Sequence, residues 1–219
     1  MNTFTEENYL KTIYKLAANN DEDVSTNSIA ELLQTKAASV TDMLKKLSDK
    51  KLINYQKYQG VSLTDKGIRI ALNIIRKHRL WEAFLVQKLN FKWDQIHTLA
   101  EELEHINSDE LIDRLDKFLG YPKFDPHGDP IPDHEGKFKH KKAKLLSELQ
   151  VGKNGVMIGV VDHSPSFLQY LDKLELNLGK SVKILETFDF DNSLNIAINN
   201  KTSIHISHEV SKNILVSIK

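Results

Sequence analysis

Apolar positions fall into three regimes along the chain. In the first, they recur at helical spacing: Tyr9, Ile13, Leu16 and Ala17 predict an amphipathic helix over residues 4–18, ended by the polar run Asn19-Asn20-Asp21-Glu22-Asp23. A short helix through Ile29, Ala30, Leu32 and Leu33 follows, with Ser25, Thr26 and Asn27 available to cap it. A third runs from Ala37 to about Lys50, with Val40, Met43, Leu44 and Leu47 on its buried face. Leu52 to Tyr58 alternates as a strand, Gln59-Gly60 turns, and Val61-Ser62-Leu63 returns. Helix, helix, helix, hairpin is the order of a winged helix-turn-helix.

The second regime, opened by Thr64-Asp65-Lys66-Gly67, is helical almost throughout, with helices expected over 65–88, 93–106 and 108–119. Residues 120–138 then hold four of the five prolines and three of the nine glycines, which makes this stretch a loop. In the third regime, short strands are expected at 156–161, 181–185, 194–198, 202–206 and 214–218, interrupted by one helix at 165–173. Such spacing indicates a small β-barrel. The fold class is therefore mainly α with a small β domain.

Composition narrows the function. The 219 residues are 40% hydrophobic and 27% charged, enough for a packed core, and carry no cysteine. Disulfides, iron–sulfur clusters, thiolate zinc sites and cysteine nucleophiles are all excluded. No apolar run reaches the ~20 residues of a membrane span, and the first residues lack the features of a signal peptide, so a cytoplasmic location and no membrane partner are expected. Thirty basic residues balance thirty acidic ones, so any nucleic-acid binding must come from a local basic face.

Such a face exists. Lysines 36, 45, 46, 50, 51 and 57 stand against only Asp42 and Asp49, a local excess of four positive charges. A recognition helix needs small or polar residues where it meets base edges and basic ones where it meets phosphates. Ala38, Ser39 and Thr41 fit the first role, and Lys36, Lys45 and Lys46 the second. Lys57 lies near the hairpin turn, and Thr26 and Asn27 open the preceding helix. The alternative is a lysine-rich solvated face with no partner.

The helical middle carries the strongest chemistry. His78 and Glu82 lie one helical turn apart, and His97, Glu101, Glu104 and His105 follow i, i+4, i+7, i+8 spacing, a single stripe on one helix. Ionisable groups on an inward stripe are costly unless paired, and a divalent cation is an economical partner for carboxylates and imidazoles. Nitrogen and oxygen ligands without sulfur favour manganese or ferrous iron over zinc. A di-metal carboxylate enzyme is the alternative, but such sites need two Glu-x-x-His motifs and only Glu102-Leu103-Glu104-His105 supplies one. No phosphate loop, Ser/His/Asp arrangement or other sign of a small-molecule substrate is present. A metal-independent winged-helix regulator is the second alternative.

The chain resembles the diphtheria toxin repressor family of metal-dependent regulators, in particular its manganese-sensing members with a C-terminal SH3-like domain. The resemblance covers essentially the whole length. It rests on Glu7-Asn8-Tyr9-Leu10-Lys11-Thr12-Ile13-Tyr14, Val40-Thr41-Asp42-Met43-Leu44-Lys45-Lys46-Leu47, Leu63-Thr64-Asp65-Lys66-Gly67, Arg76-Lys77-His78-Arg79-Leu80, Glu104-His105 and the run from Pro122 to Pro132. It implies a winged helix-turn-helix over 1–64 and a helical dimerisation and metal-binding domain over 65–140, including the Pro-rich loop 120–138. An SH3-like, FeoA-like β-barrel would occupy 147–219. The implied protein is a homodimeric repressor of metal-uptake genes that binds a palindromic operator in double-stranded DNA with Mn(II), or else Fe(II), as co-repressor.

The implied primary metal site uses Asn8, His78, Glu101, Glu104 and His105. A second position involves Glu82 and His97, with Asp125 and His127 from the Pro-rich loop and Asp162 or His163 from the small domain. Two departures stand out. Position 101 is Glu where iron-sensing members carry a thiol ligand, which favours the harder manganese ion. Position 8 is Asn where manganese sensors carry Asp, so its amide oxygen can coordinate but brings no charge. Lys11 sits where some manganese sensors place a second-site carboxylate.

Overall fold

The computed structural model describes residues 2–19, 24–56, 60–139 and 142–218, and the chain divides into two compact units. The first comprises residues 1–78, 101–112 and 132–137, and the second 79–100, 113–131 and 138–219. Among the described residues no helix is long and apolar enough to cross a membrane.

The first unit begins with α1 (Phe4–Asn19), α2 (Thr26–Leu32) and α3 (Ala37–Asp49), followed by the antiparallel hairpin β1 (Ile53–Gln56) and β2 (Gly60–Leu63). Leu10, Ile13, Ile29, Val40, Leu44, Leu47 and Leu52 are fully buried together, so the helical periods converge on one core. Ala17, expected in that core, is exposed, and Leu16 is only half-buried. Each element has a chemical start. A Thr3-x-x-Glu6 capping box opens α1, with the Thr3 N–H donating to Glu6 Oε2 (2.9 Å) and the Glu6 N–H to Thr3 Oγ1 (3.3 Å). Ser25 caps α2 by accepting from the Ser28 N–H, and Thr64 caps the next helix by accepting from the Gly67 N–H. Gly67 has no substitute: a Cβ there would lie 2.0 Å from the Leu52 carbonyl oxygen.

That next helix, α4 (Asp65–Leu89), gives its residues up to His78 to the first unit and the rest to the second. The helices α5 (His97–Leu103) and α6 (Asp109–Phe118) follow. The helix expected over 93–106 is thus much shorter. Its C-terminal end closes in a tight turn, with the Ile106 N–H donating to the Leu103 carbonyl (3.1 Å), which leaves Glu104 and His105 beyond the helix.

In the second unit, β3 (Lys144–Leu145), β4 (Asn154–Val160), β5 (Ser181–Thr187), β6 (Leu194–Ile198), β7 (Thr202–Ile206) and β8 (Ile214–Ile218) form one antiparallel sheet in the order β3-β8-β4-β5-β6-β7. Register shifts at Met157/Gly159 and Ile184/Glu186 bend it. The α7 helix (Pro165–Lys173) buries Leu168 and Leu171 against the sheet's apolar face. The five expected strands are present. The two-residue β3, a 3-10 turn at 146–148 and the short α8 (His208–Ser211) are additions too brief to leave a periodic signal.

Candidate metal centre

In the first unit, Glu104 is the hub of a polar cluster. Its side chain is fully buried, yet both oxygens are held: Oε1 by the Lys11 ammonium (2.5 Å) and Oε2 by Nδ1 of His78 (2.6 Å). Burial alone would raise its pKa, but the His78 hydrogen bond and the Lys11 charge lower it on balance. Nε2 of His105 lies 3.7 Å from Glu104 Oε1, and its Nδ1 lies 2.7 Å from Oε2 of Glu7. Glu101 sits 3.7 Å from Lys11 with about half of its side chain exposed.

Asn8 is flanked on α1 by Glu7, which meets His105, and by Lys11 three residues on, which meets Glu104. Its Oδ1 is buried and has no hydrogen-bond partner. Such an orphaned oxygen acceptor, on the helix that also reaches the Glu104 cluster, fits a divalent cation. The expected single stripe from His97 to His105 is not realised. Glu104 and His105 follow the helix, Glu101 is exposed, and His97 turns its Nδ1 toward Glu82 Oε1 at 3.7 Å.

In the second unit, ligand atoms of Glu82, Asp125 and His127 lie within 4.8 Å of one another, all three residues buried. The Pro-rich loop builds this group through its own backbone. Asp125 Oδ1 accepts from the His127 and Asp129 N–H groups (2.8 and 3.0 Å). The Val160 N–H donates to the His127 carbonyl (3.0 Å), tying the loop to β4. Gly128, at φ +94°, is required: a Cβ would stand 2.1 Å from the Ile158 carbonyl oxygen. His127 Nε2 donates to the Trp93 carbonyl (2.8 Å), which turns Nδ1 toward Glu82 Oε2 at 3.6 Å.

Burial, with the charges of Glu82 and Asp129, pushes Asp125 up to about 7 despite Arg79 and His127. Burial opposes the charged form of His127, but the facing carboxylates of Glu82 and Asp125 outweigh that and raise it to about 9. Buried carboxylates crowded together in this way are a further fit for a cation. His163 stacks on His127 (centroids 4.7 Å apart, 18° between planes), with Nε2 buried and unpartnered and its pKa lowered chiefly by burial. Asp162 instead accepts from the Ser164 N–H at the start of α7 (2.8 Å).

On α3, Lys36, Ala38, Ser39, Lys45 and Lys46 are exposed, whereas Thr41 is half-buried and donates its hydroxyl to the Ala37 carbonyl (3.0 Å). On α2, Asn27 is exposed and Thr26 half-buried. Lys57 lies outside the described residues. Lys46, half exposed, already has a carboxylate partner. Together with Lys50, one turn on, it pairs with the fully buried carboxylate of Glu6, at 3.1 and 2.7 Å to Oε1. Glu6 and Glu7 are the two site residues that sequence reasoning missed. Glu6 is legible only as half of the capping box.

The chain matches three family models: iron dependent repressor, N-terminal DNA binding domain (1–61); iron dependent repressor, metal binding and dimerisation domain (64–133); and FeoA domain (144–218). It is 39% identical over 113 residues to an HTH-type transcriptional regulator of Methanocaldococcus jannaschii, covering 52% of this chain and 90% of that one. The chain belongs to the iron-dependent repressor family. A second relative, the HTH-type transcriptional regulator MntR of Oceanobacillus iheyensis, is 34% identical over 57% of this repressor and 84% of its own length. Over nearly the whole repressor, the solved structure of a manganese-dependent transcriptional repressor in complex with manganese superimposes at TM-score 0.87, with 32% identity and 98% and 100% of the two chains covered.

Proposed function

We propose that this repressor binds double-stranded operator DNA as a homodimer and that Mn(II) is its co-repressor, with Fe(II) second and Zn(II) behind it, controlling metal-uptake genes. The observation that carries this reading is the buried, unpartnered Oδ1 of Asn8, on the helix whose Lys11 and Glu7 meet Glu104 and His105. Asn8, His78, Glu101, Glu104 and His105 would hold one ion. Glu82, His97, Asp125 and His127, with His163 or Asp162, would hold another. The ligands are oxygen and nitrogen only, which suits manganese, and the solved relative was obtained with manganese.

The bound cation supplies positive charge shared by ligands from separate elements. The chain's own residues convert that into DNA affinity. Lys11 ties α1 to Glu104, and Glu6, earlier on the same helix, holds the C-terminal end of α3 through Lys46 and Lys50. The orientation of α1 is thereby passed to the recognition helix. Ala38, Ser39 and Thr41, with Thr26 and Asn27, would face bases, and Lys36, Lys45 and Lys57 phosphates. In a dimer, two such helices enter major grooves about one helical turn, or a multiple, apart. The relatives' shared role as transcriptional regulators supports a cytoplasmic regulator with no reaction of its own.

The test is selection from a random-sequence duplex library by the full chain, with Mn(II) and separately with chelator, followed by affinity measurement on the recovered site. A palindromic site bound at least tenfold tighter with Mn(II) is expected. Equal enrichment and affinity in chelator would leave a metal-independent regulator.

A further inference from the structure

Glu7 is a carboxylate beside the α1 site that the ligand set above does not use. Its Oε2 lies 2.7 Å from Nδ1 of His105, with the Glu7 side chain 18% exposed and that of His105 7%. A carboxylate only accepts, so the imidazole hydrogen facing it is on Nδ1. The lone pair of the neutral ring is then on Nε2, the nitrogen that looks toward Glu104 Oε1 at 3.7 Å. Phe4 stacks on the same ring, centroids 4.6 Å apart and 19° between planes, and fixes its plane. Glu7 and Phe4 both belong to α1, so this helix determines which nitrogen of His105 faces the cluster.

We propose that Glu7 is a positioning residue of the metal centre: it holds His105 in the tautomer whose Nε2 binds the ion and supplies the negative charge that Asn8 lacks. Metal-bound imidazoles commonly donate their second N–H to a carboxylate, which fixes the ring and strengthens the ligand. The charge balance points the same way. Glu101 and Glu104 contribute two negative charges and Lys11 one positive, while Asn8, His78 and His105 as ligands contribute none. A divalent ion would leave that group one positive charge in excess, and Glu7 cancels it.

This inference rests on the co-repressor reading, and the experiment separates the two. Mn(II) binding to the full chain is followed by loss of the free-ion electron paramagnetic resonance signal. A His127→Ala background keeps the Glu82–Asp125–His127 group from contributing. Glu7→Leu removes acceptor and charge, and Glu7→Gln keeps an acceptor oxygen. The expected order of affinity is wild type, then Glu7→Gln, then Glu7→Leu, the last weaker by about 10- to 100-fold. The loss of affinity should exceed what any fall in the metal-free melting temperature accounts for, and the His105 ¹⁵N resonances of Glu7→Leu should move toward the Nε2–H tautomer. Wild-type affinity in Glu7→Leu while His105→Ala abolishes binding would overturn the positioning role and spare the site. So would loss of affinity only in proportion to lost metal-free stability. Unchanged affinity in His105→Ala would remove the site itself.

Discussion

Glu6 of α1 meets Lys50, the C-cap of α3, at 2.7 Å while its own side chain is fully shielded from solvent. Lys46 stands one turn earlier on α3 at 3.1 Å, so a single carboxylate joins the helix that carries Asn8 to the back of the recognition helix. Both lysines are more than a third exposed, so solvent screens the pairs and their worth falls below that of a fully buried pair. Glu6→Gln is expected to cost about tenfold in Mn(II)-dependent DNA affinity, or ~1.4 kcal/mol, with metal binding intact. In a double-mutant cycle with Lys50→Gln the losses should not add. Additive losses would show that the pair does not transmit the state of α1.

The same carboxylate sets an acid limit on stability. Burial would raise the Glu6 pKa, but hydrogen bonds from Lys50, the Thr3 N–H and Lys46 outweigh it and lower it from 4.5 to about 2. A group whose folded pKa is depressed stabilises fully above its unfolded value and loses that contribution as pH falls through the folded one. The melting temperature of Glu6→Gln should therefore lie below wild type at neutral pH. The gap should close as pH falls from 4.5 toward 2, as followed by circular dichroism. A gap independent of pH would assign the loss to packing.

Much of the DNA-reading unit was legible because the 3.6-residue period of Tyr9, Ile13, Val40, Leu44 and Leu47 reports burial directly. The polar constellation was less so. The spacing of His97, Glu101, Glu104 and His105 suits one stripe only if the helix continues, and nothing in Glu104-His105-Ile106-Asn107 announces that it stops at Leu103. The pairs that organise the cluster, Lys11 with Glu104 and Glu7 with His105, join residues 93 and 98 positions apart. Local pattern carries no information on such pairings. Asp125 and His127 entered through family resemblance alone, since a run of Pro, Gly and Asp reads locally as a turn.

Metal binding by the Glu82–Asp125–His127 group should release protons. At pH 7 His127, raised to about 9 chiefly against its burial by Glu82, carries a proton, and Asp125, raised to about 7 chiefly by burial, carries one about half the time. Ligands bind a cation deprotonated. Mn(II) affinity at this group should therefore climb with pH, displacing about one to two protons per ion near pH 7, about half a proton near pH 9 and almost none above about 10. Calorimetry in buffers of different ionisation enthalpy counts those protons. Heat independent of the buffer would mean that these side chains are not ligands.

The lysines of α3 divide into two classes by partner, and salt titration can read the division. Lys36 precedes the helix with its side chain exposed and gives no side-chain cap. Lys45 pairs with Asp42 at 3.3 Å on the surface. Both are available to phosphates. Removing one ammonium from one phosphate should reduce the slope of log affinity against log salt by roughly one, so Lys36→Gln and Lys45→Gln are each expected to flatten it by that amount. Lys46 is held by Glu6 across 3.1 Å. Lys46→Gln should lower Mn(II)-dependent affinity through α1 while leaving the slope nearly unchanged. Fluorescence anisotropy on the selected operator across a salt series separates these outcomes. A full-unit change of slope in Lys46→Gln would place that ammonium on the DNA backbone and leave Lys50 as the only link from α3 to Glu6.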